Sequence, residues 1–126
     1  MATSNYDSQN IFARILRGEI PCDRVYEDEA VLAFRDIQPA APVHVLVIPK
    51  QDVTSFDDFA QQNPFVIAAF FQSMRQVVAS LGLQEGGYRL ITNHGADASQ
   101  TVHHFHVHIL GGRPLGGLLP GDPEAR

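Results

Sequence analysis

The chain has 126 residues, 44% of them hydrophobic and 18% charged. That is enough apolar material for one domain with its own core, and no tract is polar enough to leave the whole chain disordered. Fourteen acidic residues against nine basic ones give a formal charge of -5. This balance disfavours non-specific binding to nucleic acid, which draws its affinity from phosphate neutralisation, but leaves room for a small phosphate ester held by a local cluster of donors.

The first residues, Met1 to Asp7, carry neither a basic segment nor an apolar one, so no signal peptide is expected. No apolar run approaches membrane-spanning length. The expected setting is cytoplasmic, away from membranes. Ile11, Phe12, Ile15 and Leu16 share one helical face and predict a short helix over Asn10–Arg17, ended by Gly18 and Pro21. Cys22 is the single cysteine. It cannot form an intrachain disulfide or a multi-cysteine zinc site, and reads as a small buried thiol in a reducing compartment.

Strands are predicted over Arg24–Glu27 and Ala30–Asp36, joined tightly through Asp28 and Glu29. After Pro39 and Pro42 comes a third strand, Val43–Pro49, apolar on both faces except for His44. It should be central and covered on both sides. The long helix is expected over Pro64–Leu81, capped by Asn63, opened by Pro64 and stopped by Gly82. Phe65, Val66 and Ala69 widen its apolar face, which suggests a second subunit there. Further strands are expected over Tyr88–Asn93 and His104–Leu110. The chain is rich in glycine and proline from Pro114 to Arg126 and should be irregular there. The sum is a single α+β domain, with a core over about residues 9–113, a mainly antiparallel sheet of about five strands, one long helix and one short helix. Both helices are expected on one face.

Four of the six histidines fall in His103-His104-Phe105-His106-Val107-His108. On a strand, His104, His106 and His108 would share one face, roughly 6.5–7 Å apart in sequence order, with Phe105, Val107 and Ile109 turned to the core. Three readings compete. Imidazoles bind metals, but no Asp, Glu or Cys lies within the cluster to complete a site. A surface accident sits badly with the core-type residues between the histidines. Catalysis on phosphorus suits neutral imidazole, a nucleophile near pH 7 that needs no metal to activate it, with neighbouring histidines to hold phosphate oxygens and move a proton.

The run Gln100-Thr101-Val102-His103-His104-Phe105-His106-Val107-His108-Ile109-Leu110-Gly111-Gly112-Arg113 resembles the signature of the histidine-triad (HIT) superfamily, His-x-His-x-His followed by apolar residues. Its Leu-Gly-Gly-Arg ending resembles the Hint branch, the nucleoside phosphoramidate hydrolases. Ile11-Phe12, Glu19-Ile20-Pro21, Leu32 to Ile37, Pro42 to Lys50, Tyr88-Arg89 and Asn93 agree in order, so the similarity spans roughly residues 9–113. The resemblance implies a HIT-like fold and His106 as the nucleophile, with its other nitrogen donating to a backbone carbonyl. It implies His108 and His44 at the phosphate, with His104 supporting through its backbone. It also implies Asp36 on the ribose hydroxyls, Asn93, Gln100 and Thr101 near phosphate or leaving group, and Ile11, Phe12, Phe34, Ile37 and Leu46 around a purine. No metal and no cofactor are implied. The expected partners are a purine nucleotide, AMP- or GMP-like, and a second copy of the chain. His94, His103, Arg35, Lys50 and Arg113 are read as residues without a role in the site. The activity implied is hydrolysis of a purine nucleoside 5′-phosphoramidate, or an acyl-nucleotide adduct, through a nucleotidyl-histidine. The alternatives are dinucleoside polyphosphate hydrolysis and a non-enzymatic zinc- or partner-binding adaptor.

Overall fold

The computed structural model describes residues 5–122. Residues 1–4 and the end of the expected irregular tail, 123–126, lie outside the described residues. In chain order the elements are helix α1 (Ile11–Leu16), strands β1 (Arg24–Glu27), β2 (Val31–Arg35) and β3 (Val43–Pro49), helices α2 (Phe56–Phe59) and α3 (Pro64–Ser80), strand β4 (Tyr88–Ile91), a 3₁₀ turn (Ala96–Ala98) and strand β5 (Val107–Gly111). The five strands form one antiparallel sheet in the order β1-β2-β3-β5-β4. The expected α+β architecture and the central place of Val43–Pro49 are therefore found. The short α2 and the 3₁₀ turn come in addition to the two expected helices.

Alternation along the strands separates two apolar layers. Val31, Ala33, Val45, Val47, Val107 and Ile109 point to one face and pack with Phe59, Phe70, Met74, Val77, Val78 and Phe105. Leu32, Phe34, Leu46 and Ile48 point to the other and pack with Phe12, Ile15 and Leu16 of α1. The two helices thus lie on opposite faces, not on one face. The α1 stripe buries against the side that also carries His44 and His108, because both alternate with the residues facing α3. Every residue of β3 after His44 is buried, as is His44 itself.

Asp28 ties the first hairpin to the long helix. Its Oδ1 accepts the backbone N–H groups of Ala30 and Val31, and its Oδ2 accepts the hydroxyls of Tyr26 (2.8 Å) and Ser73 on α3 (2.6 Å). Burial alone would raise this carboxyl. The bonds from Ser73, Tyr26 and the two amides outweigh it and leave the group below its ordinary value.

Candidate active site

Strand β5 begins at Val107, so the three histidines do not line one strand face. Residues 100–105 turn away from the sheet because their polar groups bond the end of β3 and the loop after it. Gln100 Nε2 donates to Thr54 O (2.8 Å), the Phe105 amide to Val53 O (2.9 Å), and His104 bonds Pro49 O. His104 is fully buried. Its side chain lies between Pro49 and Tyr6, away from the other two rings. Phe105, Val107 and Ile109 do face the core.

Hydrogen bonds define the protons on the remaining rings. His106 Nδ1 lies 2.7 Å from the carbonyl oxygen of His104. A carbonyl only accepts, so Nδ1 carries the proton and Nε2 is left bare in the neutral ring. Phe12 meets this ring edge-on, with centroids 4.9 Å apart, and Thr92 Oγ1 donates to the His106 carbonyl at 2.8 Å.

His44 is set from the loop before it. The Ala40 amide donates to His44 Nδ1 at 3.0 Å, so that nitrogen is bare and Nε2 bears the proton. His44 Nε2 lies 2.9 Å from His108 Nδ1, which must then accept. The His108 proton therefore sits on Nε2. The His106 and His108 rings meet edge to face at 5.2 Å.

Burial holds all four of these histidines below the ordinary imidazole value. For His108, burial acts together with the neighbouring His106 and His44 and carries it down to about 4, against the pull of Asp36. Burial lowers His44 despite Asp36, His106 despite its bond to His104, and His104 despite its bond to Pro49. All four are neutral at pH 7.

The ligand atoms of Asp36, His44 and His108 lie within 4.8 Å of one another, close enough to hold a metal ion. Coordination by His44 Nε2 would move its proton to Nδ1, against the Ala40 amide. That arrangement opposes two donors, so the hydrogen-bonded histidine pair is the better use of these groups.

Beside them opens a cleft of about 480 Å³, which His44 and His104 do not border. Ile11, Phe12, Phe34, Asp36, Ile37, Leu46, Asn93, Gln100, Thr101, His106 and His108 all border it. Ile37 is 93% exposed and stands at the mouth, where a flat apolar ligand would cover it. Asp36 Oδ1 accepts the Gln38 amide at 2.8 Å, so Asp36 also shapes the turn after β2.

Gln100 borders the cleft with its amide engaged. Its two N–H groups bond Thr54 O and Val102 O, and its oxygen accepts the Gly95 amide. No donor is left for phosphate, and the residue braces the loop. Two expectations change. Cys22 is exposed, not buried, because it sits in the α1–β1 connection and borders the cleft. Arg35 is also in the cleft wall, 3.7 Å from the Asp23 carboxylate. Ser99, in the left-handed region with φ 60°, borders the cleft as well. Its place next to the Gln100 position of the resemblance was the available signal. Outside the site, Lys50 pairs with Glu27 and exposed His94 approaches Asp57.

The family model described as HIT domain matches residues 17–115. The chain belongs to the HIT domain family. Among its HIT relatives, an uncharacterized 13.2 kDa HIT-like protein of Azospirillum brasilense is 50% identical over 115 residues, covering 90% of this chain and 94% of that protein. The purine nucleoside phosphoramidase of Escherichia coli is 41% identical over 111 residues, covering 88% and 93%. The solved structure of a HIT family hydrolase from Clostridium thermocellum superposes with a TM-score of 0.82 at 42% identity, covering 90% of this chain and 99% of that one.

Proposed function

We propose that this HIT protein hydrolyses purine nucleoside 5′-phosphoramidates, or acyl-nucleotide adducts, through a nucleotidyl-histidine on His106. One observation carries the reading: the bond from His106 Nδ1 to the His104 carbonyl leaves a bare, neutral Nε2 on a ring that borders the cleft. The 41% identity to a purine nucleoside phosphoramidase supports the substrate class.

In the first step His106 Nε2 attacks the α-phosphorus and the bond from phosphorus to the leaving nitrogen breaks. His108 is neutral, and its Nε2–H donates to a phosphate oxygen, steadying the charge that builds there in the transition state. The departing nitrogen takes its proton from water. In the second step water attacks phosphorus, the bond to His106 breaks, and the water proton goes to solvent. His44 keeps His108 Nδ1 occupied throughout, so the N–H of His108 stays on the cleft side. Phe12, Phe34, Ile37 and Leu46 flank the purine, and the free lone pairs of Asp36 accept the ribose hydroxyls. Asn93 and Thr101 contact phosphate or leaving group.

The protein acts as a homodimer in this reading. Phe65 on α3 is 85% exposed, and the outer strand β4 carries exposed Tyr88, Leu90 and Ile91. A sedimentation run at micromolar concentration tests this, and a monomer there contradicts it.

The activity is tested with a fluorogenic adenosine phosphoramidate, using untagged protein with a chelator present. Wild type should release the amine, and His106→Ala should not while still binding AMP. Full activity in His106→Ala would end the mechanism. Faster turnover of a dinucleoside polyphosphate would favour the alternative substrate class.

A further inference from the structure

The His104 ring is held at both nitrogens although it does not touch the cleft. Its Nε2 lies 3.0 Å from Pro49 O, and its Nδ1 lies 2.6 Å from the hydroxyl of Tyr6, 98 residues away in sequence. The carbonyl can only accept, so Nε2 carries the proton, Nδ1 is bare, and Tyr6 donates. The reverse arrangement would set the bare Nε2 against the carbonyl oxygen. The rings of Tyr6 and His104 also meet edge-on, with centroids 5.7 Å apart. Burial raises the Tyr6 hydroxyl above its ordinary value, which keeps it a donor across the neutral range.

We infer that Tyr6 is a positioning residue for His106, acting through His104. This rests on the reading of His106 as nucleophile. The same residue that Tyr6 grips by its ring presents the carbonyl that orients His106. Its peptide plane has one other tether, the Phe105 amide on Val53 O. The stretch holding this peptide precedes β5, so no sheet ladder fixes it. Pro49, Val53 and Tyr6 supply the restraint instead. Helix α1 and the segment leading into it thereby hold the nucleophile twice, through Phe12 on the His106 ring and through Tyr6 on His104.

Tyr6→Phe keeps the ring and removes the donor. It leaves a buried acceptor on His104 and frees that ring to shift. The expected result is a five- to tenfold fall in the single-turnover rate, about the scale of one buried hydrogen bond, with AMP affinity within about twofold of wild type. Imidazole ¹⁵N spectra give the reading that mere destabilisation would not move. In wild type His104 should be bare at Nδ1 and His106 bare at Nε2. In Tyr6→Phe the His106 signals should move toward a mixture of tautomers. Wild-type rate and an unchanged His106 spectrum in a folded Tyr6→Phe would overturn the inference. If the variant does not fold, a wild-type spectrum with His104 protonated at Nδ1 overturns it equally. Activity retained in His106→Ala would instead remove the nucleophile reading, whereas an inactive His106→Ala beside an unaffected Tyr6→Phe would remove only the role of Tyr6.

Discussion

His44 Nε2 and His108 Nδ1 lie 2.9 Å apart on neighbouring strands, and the Ala40 amide decides which of them donates. A main-chain N–H outside the cleft thus fixes the proton on the cleft-facing nitrogen of His108, two rings away.

Removing the middle of this chain should weaken the hold of His108 on the phosphate. His44→Ala leaves His108 Nδ1 without its donor and lets the ring exchange tautomers. Turnover should fall about tenfold or more, on the scale of one lost buried hydrogen bond or somewhat beyond it. His44→Gln can restore a donor and should recover part of the loss. Steady-state rates with ¹⁵N spectra of His108 check this, and a wild-type rate in His44→Ala would contradict it.

The buried imidazoles also make stability depend on pH. Each of His44, His104, His106 and His108 titrates lower in the folded chain than when unfolded, first because burial penalises its charged form. The unfolded chain therefore binds more protons between the ordinary imidazole value near 6.5 and the lowered folded values, which for His108 is about 4. Stability from these groups is complete above about pH 6.5 and is lost as pH falls through that window. Glu19, Glu27 and Asp28 are also lowered, and they add their own loss only as the carboxylate range is reached. Thermal melts should show the midpoint dropping between pH 7 and pH 5, roughly the upper part of the imidazole window. A flat midpoint across that range would contradict the burial of neutral rings.

Asp28 offers a test of the scaffold apart from the chemistry. Asp28→Ala strands two hydroxyls and two amides, and should cost roughly 2 kcal/mol by urea denaturation. Ser73 and α3 lie on the face away from the cleft, so the rate per folded molecule should stay near wild type. A loss below about 0.5 kcal/mol, the range of ordinary surface substitutions, would contradict this account of the turn.

What could be read from the sequence follows from what repeats in it. The α3 stripe, the β-branched run of β3 and the alternation Phe105-Val107-Ile109 each spell their own period, and the structure has all three. The pattern puts His104 and His106 on a strand because their alternation continues that of His108, but β5 begins only at Val107. Whether the chain there is a strand depends on Val53 O taking the Phe105 amide, a distant backbone pairing with no residue signature. The Ala40 amide was illegible for the same reason. The four residues of α2 are too few to show a period. The apolar stripe of α1 was visible, but no turn in the sequence states which face it covers. Tyr6 has no local signal either: its hydroxyl reaches a residue 98 positions on.

The central claim is that His106 forms a bond to phosphorus. Rapid quenching of wild-type protein with a nucleoside phosphoramidate, followed by intact-mass and peptide mass spectrometry, tests it most directly. The account predicts one nucleotidyl group per chain, on His106, that appears and decays within a turnover and is missing from His106→Ala. Turnover with a label on another residue, or an undiminished label in His106→Ala, would contradict it.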